Sequence, residues 1–176
     1  MIVRTTVLLL LVAVLPIVLS GQQPSAPAGE PNPLIEPWST PFGVPPFGEI
    51  KAAHFLPAIK EGIARQRQEI DAIANNPQPP TFANTLEAME DAGELLSRVS
   101  PVFSNMQSSN TNEQLQAINR DVAPLLTALR DDIRLNPALF QRVKAVWEGR
   151  AALKLEPDEG KLLEDTWKDF VRGGAL

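Results

Sequence analysis

The chain has 176 residues, 44% of them hydrophobic and 21% charged, which is enough for one globular domain with a real core and too little for two full ones. A formal net charge of -5 and a pI near 4.9 leave no basic field to hold a phosphate backbone, so nucleic acid is excluded as the natural partner. Cysteine is absent, which rules out disulfides, a thiol nucleophile, an iron–sulfur cluster and an acylated-cysteine anchor, and tyrosine is absent too.

The first 20 residues follow a secretory pattern: Arg4 gives a positive start, Val7 to Leu19 form an apolar run broken only by Pro16, and Ser20 and Gly21 are small. Val18 and Ser20 suit a cleavage point, and Ala26 with Ala28 offer a second one. The run is shorter than the roughly 20 apolar residues that cross a bilayer, so it is expected to be a cleaved signal peptide and not an anchor. The mature product is therefore expected to be exported, to the periplasm or beyond, with no stable membrane insertion and one more net negative charge once Arg4 is lost.

Residues 21–50 are rich in Pro, Gly, Ser and Ala. The stretch "QQPSAPAGEPNP" has too little apolar surface to fold alone and reads as a linker. In "LIEPWSTPFGVPPFGEI" the prolines alternate with Trp38, Phe42, Phe47 and Ile50. Proline holds the backbone extended and the rings supply buried area, so the expectation is a strap across a helical body with every aromatic docked on its own chain. The alternative is a proline-rich ligand for a partner's groove.

From residue 51 onward the period is helical and no convincing strand appears. The fold class is expected to be all-α, a lobe of about five amphipathic helices of roughly 17 to 25 residues each. Pro57 suits a first helical turn, with Ile59, Ile63, Ile70 and Ile73 on one face. Asn84 and Glu87 make a capping pattern for a second helix, whose stripe is Leu86, Met89, Leu96, Val99, Phe103 and Met106, kinked at Pro101. Thr111 and Gln114 repeat that pattern for a third, with Leu115, Ile118, Val122, Leu125, Leu129 and Ile133, interrupted at Pro124. Asn136 and Pro137 open a fourth, with Leu139, Phe140, Val143, Val146 and Trp147 inward. A fifth starts near Pro157, carries Leu163, Trp167, Phe170 and Val171, and stops at Gly173 and Gly174. Successive antiparallel pairs are the natural packing for such short connections.

Little in this pattern suggests chemistry. His54 is the sole imidazole, and a catalytic zinc normally takes three protein ligands. Phe55 and Ala58 stand where a zinc-peptidase helix would carry its glutamate and second histidine, so His54 reads as a packed or capping residue. Glu87, Glu90, Asp91 and Glu94 are expected on one solvated helix face, and Asp131 and Asp132 diverge by about 100° and cannot share a proton. Ser97, Ser100, Ser104, Ser108 and Ser109 lack a base, and Gly43, Gly48, Gly93 and Gly149 make no phosphate-cradling loop. No catalytic, cofactor-binding or metal-ligating residue is assigned.

Longer segments carry more information than periodicity. "NPLIEPWSTPFGVPPFGEIKAAHFLPAIKEGI", "EIDAIANNPQPPTFANTLEAME", "INRDVAPLL", "LNPALFQRVKAVWE" and "LLEDTWKDFVRGGAL" together resemble the amino-terminal part of bacterial peptidyl-dipeptidases of the thimet oligopeptidase family of zinc metallopeptidases, from about Asn32 to the last residue. The resemblance implies a helical wall of a two-lobed, channelled enzyme. In that enzyme a zinc ion, held by an "HExxH" helix and a downstream glutamate, releases dipeptides from the carboxyl end of oligopeptides. It transfers none of those catalytic residues: zinc is implied only for a full-length member, and this chain alone is expected to be an inactive, truncated product. Residues 51–176 would be the lobe, oligopeptides the substrates and a missing catalytic half a possible partner. Two alternatives stand beside this: an exported helical binding module, or a half that assembles with a separate catalytic chain. A severed lobe should expose apolar stripes meant for missing helices, whereas an independent module should close its core.

Overall fold

The computed structural model describes residues 31–174. The expected signal peptide and the first part of the linker lie outside them. Among the described residues the regular structure is entirely helical: α1 (Ala52–Ala74), α2 (Ala88–Asp91), α3 (Glu94–Ser109), α4 (Glu113–Arg134), α5 (Pro137–Gly149) and α6 (Pro157–Arg172). Five are long and α2 is a single turn, preceded by a π-helical turn over Ala83–Glu87. Only α1 and α4, with 23 and 22 residues, reach the expected length; α3, α5 and α6 have 16, 13 and 16. No helix of the described residues is long and apolar enough to cross a membrane.

Helix α1 is the spine. Its face of Phe55, Ile59 and Ile63 packs against α3 and α4, burying Leu96, Val99, Phe103, Leu115, Ile118 and Val122 around it. Phe55 and Phe103 meet with ring centroids 5.0 Å apart at 52°, the tilted geometry aromatic quadrupoles favour. Gly62 makes the α1/α3 crossing close: a Cβ there would stand 3.2 Å from the backbone of Leu96. The far end of α1 turns Ile70 and Ile73 toward a second cluster with Leu139, Phe140, Val143 and Phe170 of α5 and α6. A third cluster joins Phe82 and Leu86 to Val146 and Leu163. Helix α6 is held by the buried Leu163 and Phe170 and by stacked rings, with Trp167 5.5 Å from Phe140 and 5.6 Å from Trp147.

Helix starts differ from expectation in instructive ways. Helix α1 begins at Ala52, so Pro57 lies in its second turn, not its first. The second helix is two pieces: Gly93, at φ +87°, turns the chain between α2 and α3. Asn84 does not cap forward. It pairs reciprocally with Thr81, accepting from the Thr81 N–H at 2.8 Å while Thr81 Oγ1 accepts from the Asn84 N–H at 3.1 Å. The third helix is capped by Asn112 and not Thr111, its side-chain oxygen 2.9 Å from the Leu115 N–H. Asn136 caps α5 as expected, 3.0 Å from the Leu139 N–H, and Pro157 opens α6.

Pro124 does not interrupt α4, and α3 runs as one helix through Pro101. Pro57, Pro101 and Pro124 all sit on exposed faces, where the carbonyl deprived of its donor faces water and the buried stripe opposite keeps the helix in place.

The strap also departs from the expected extended form. It is a series of turns, with Ile35 and Glu36 N–H groups donating to the Asn32 carbonyl at 2.9 and 3.2 Å and a 3-10 turn over Pro41–Gly43. Leu34 is fully buried, and Ile35, Trp38 and Ile50 pack on the first core. Phe42 and Phe47 do not dock: Phe42 is wholly exposed and Phe47 and Val44 are about half exposed.

Candidate functional site

His54 occupies the third position of α1, where its ring accepts a hydrogen bond at Nδ1 from the Lys51 N–H at 3.1 Å and its backbone N–H donates to the Lys51 carbonyl at 3.0 Å. The histidine carbonyl accepts from Asn32 Nδ2 at 2.9 Å. The side chain is 5% exposed and serves the helix start. Beside it, Pro33, Trp38, Thr40, Pro46 and Glu49 line an open cleft of about 480 Å³ between the strap and α1.

The strap is fastened by Arg98 of α3. Its Nη2 donates to the Ile35 carbonyl at 2.9 Å, and its guanidinium lies 5.2 Å from the centre of the Trp38 ring. Trp38 in turn donates from Nε1 to the Pro33 carbonyl at 2.9 Å. A second arginine, Arg142 of α5, is 6% exposed and holds the loop before the π turn. Its Nη1 donates to the Asn76 and Gln78 carbonyls at 2.9 and 3.1 Å, and its Nη2 to Asn84 Oδ1 at 2.8 Å. The Nε atoms of both arginines are buried without a hydrogen-bond partner. Neither arginine was singled out by sequence reasoning, although Arg142 falls among Leu139, Phe140, Val143 and Val146 on the inward face of its helix.

The expected acidic face is not one face. Glu87 lies in the π turn, Glu90 and Asp91 in α2 and Glu94 in α3, and the left-handed Gly93 separates the first three from the fourth. The carboxylate that matters at this break is Glu69 of α1, whose Oε2 accepts from the Gly93 N–H at 2.6 Å. Asp132 is engaged by Arg67 Nη2 at 2.6 Å, an exposed pair that solvent screens strongly. Ser97 and Ser108 donate to helix carbonyls at 2.9 and 3.0 Å. Gly93 contributes a turn, and Gly149 ends α5 before a 3-10 turn over Arg150–Ala152.

On α6, Glu164 is bonded to Lys168 and Asp165 to Lys161. Hydrogen bonding to those ammonium groups holds both carboxyls below the usual carboxylate range, and the bond to Asp165 raises Lys161. These are surface pairs one turn apart that support the helix.

Zinc chemistry needs three or four nitrogen, sulfur or carboxylate donors converging on one point. No group of three or more His, Cys, Asp or Glu side chains able to hold a metal occurs among the described residues, so they do not fit the zinc that the family resemblance implies. What this part of the chain supplies is a packed helical body with shallow clefts and an exposed proline-rich turn.

No family model matches the chain. Curated proteins do. A dipeptidyl carboxypeptidase of Salmonella typhimurium is 44% identical over 144 residues, covering 82% of this chain and 21% of that protein. The dipeptidyl carboxypeptidase of Escherichia coli is 42% identical over the same coverage. Oligopeptidase A of Salmonella typhimurium is 23% identical over 143 residues, 81% of this chain and 20% of that enzyme. The chain thus spans about a fifth of the length of the curated relatives it matches. Over this stretch the chain matches a dipeptidyl-carboxypeptidase-like fragment of the thimet oligopeptidase family.

Proposed function

We propose that this chain is the amino-terminal, channel-wall lobe of an exported zinc peptidyl-dipeptidase, with residues 1–20 as signal peptide, 21–50 as linker and strap, and 51–176 as the lobe. The observation that carries the proposal is the match at 42–44% identity to two dipeptidyl carboxypeptidases across 82% of this chain and only 21% of theirs. The zinc ligands and the water-activating carboxylate would come from residues outside this segment, and oligopeptides would be the substrates. The lobe's part is steric: packed helices such as α1, α3 and α4 form a stiff wall that narrows access to the channel without touching the reacting atoms. Export is supported by the Arg4 and Val7 to Leu19 pattern.

One observation favours a second reading, an independent helical binding module. The helical stripes are closed within the chain, and large exposed apolar side chains are confined to Phe42, Val44, Phe47, Leu135 and Leu153 among the described residues.

The two readings separate in a chimera in which residues 31–174 replace the homologous segment of the Escherichia coli dipeptidyl carboxypeptidase. A lobe predicts a folded chimera that releases carboxy-terminal dipeptides from oligopeptides, while the 176-residue chain alone releases none. A folded chimera without dipeptide release contradicts the lobe and leaves the module.

A further inference from the structure

Among the described residues, three of the five large exposed apolar side chains, Phe42, Val44 and Phe47, fall within six consecutive positions of the strap. No charged residue occurs between Glu36 and Glu49, so the centre of this surface is uncharged and its rim carries Glu36, Glu49 and Lys51. An apolar centre with a charged rim is the anatomy of a protein contact.

The turn is built to hold these side chains outward. Phe42 has φ +59°, a left-handed conformation that is uncommon away from glycine, and Gly43 follows at +66°. The Gly43 N–H donates to the Thr40 carbonyl at 3.1 Å, and the Thr40 hydroxyl donates to the Val44 carbonyl. The Phe47 N–H donates to the Pro45 carbonyl at 2.7 Å and the Glu49 N–H to the Pro46 carbonyl at 2.9 Å. Pro41, Pro45 and Pro46 fix further torsions. A left-handed backbone at Phe42 whose ring remains fully exposed gains nothing within this chain, and a turn already ordered loses little entropy when it docks.

We propose that the Phe42–Phe47 turn is the plug by which this lobe docks on the remainder of the peptidase, the four fifths of the relatives' length that lie outside the match. This rests on the lobe reading above. A body of that size must contact the segment somewhere. The helical stripes already face one another, and the strap turn is where exposed apolar side chains concentrate. Its occupant is accordingly an apolar socket on the peptidase body, entered by the two phenylalanine rings. Arg98 and Trp38 anchor the base of the strap, so the turn is presented from a fixed position.

The test compares the chimera carrying Phe42→Ser and Phe47→Ser with one carrying Leu153→Ser, an exposed apolar position outside the strap. Docking predicts that limited proteolysis frees the lobe about tenfold faster or more in the double variant, a loss typical of two central aromatic anchors, with Leu153→Ser unchanged. An active chimera whose proteolysis is insensitive to the double substitution overturns the docking proposal and leaves the lobe reading standing. A folded chimera without dipeptide release overturns both. The 176-residue chain gives an independent check by thermal unfolding and sedimentation. The proposal predicts that the double substitution leaves its unfolding midpoint and its sedimentation unchanged. A lowered midpoint would assign the rings to the chain's own core, a lost oligomer would assign them to a second copy, and either overturns the proposal.

Discussion

Replacing Arg142 by methionine tests whether the buried guanidinium holds the loop between α1 and the π turn. Arg142 is 6% exposed and makes hydrogen bonds of 2.9, 3.1 and 2.8 Å to Asn76, Gln78 and Asn84. Bonds from a charged donor are worth about 1.5–3 kcal/mol each, but two offsets apply. The Nε atom is buried unpaired, so its removal returns about 1–3 kcal/mol, and the loop carbonyls of Asn76 and Gln78 can regain water. Methionine fills much of the space of the arginine stem, so the net cost is about 2–3 kcal/mol, near the lower end for a broken buried charge network. For a domain of this size that corresponds to a fall of roughly 5–12 °C in unfolding midpoint. Urea unfolding of the wild type, Arg142→Lys and Arg142→Met checks it, with the lysine variant intermediate because it cannot fork between the loop and Asn84. Amide exchange should quicken across residues 75–82 and not in α4. A methionine variant within about 0.5 kcal/mol of wild type would refute the clamp.

Further outcomes follow from close approaches and charges. Gly62→Ala should cost about 0.5–2 kcal/mol net in urea unfolding, since the new Cβ would meet the Leu96 backbone at 3.2 Å and a packed helix backbone yields a few tenths of an ångström at a cost above the roughly 1 kcal/mol gained in helix propensity. Gly160→Ala, in α6 with nothing within 4 Å of the new Cβ, should gain about 0.5–1 kcal/mol in the same assay. Gly93→Ala should cost about 1–3 kcal/mol through its left-handed backbone, with Gln66 displaced, and exchange should rise at the first turn of α3. Glu164 and Asp165 titrate below the usual carboxylate range because they bond to Lys168 and Lys161. Their support of α6 is present above the ordinary carboxylate pKa and is lost as pH falls through the lowered folded values. Lys161 is raised, so its support is lost only as pH rises through its folded value above 10.5. Carboxyl-detected NMR titration at low and high salt would read these directions, and high salt should shrink them.

The buried stripes were legible because helical period and burial coincide: Ile59, Ile63, Ile70 and Ile73 of α1, and Leu115, Ile118, Val122 and Leu129 of α4, all lie in the core. Local signals failed where a distant residue decides. The break at Gly93 depends on Glu69, 24 residues earlier, accepting its N–H. Pro124 reads locally as an interruption, yet α4 continues because its opposite face is buried on α1. The aromatic strap was half legible, since Trp38 needs Arg98 to dock and Phe42 is turned outward by a backbone conformation that composition does not reveal. Arg142 shows the reverse case, a charge on an apolar helical face whose partners are loop carbonyls 64 and 66 residues away and the side-chain oxygen of Asn84, 58 residues away. The candidate site was legible mainly through long segments such as "PPTFANTLEA", because no local spacing in this stretch encodes the chemistry of a peptidase.

On the proposed function, this chain corresponds to about one fifth of a zinc peptidyl-dipeptidase whose metal site is encoded outside it. The most direct measurement is to read the genomic DNA and the transcript past the codon for Leu176. The expected result is a continuing frame that encodes an "HExxH" segment. A stop codon directly after Leu176, with no adjoining frame that encodes such a segment, would contradict it.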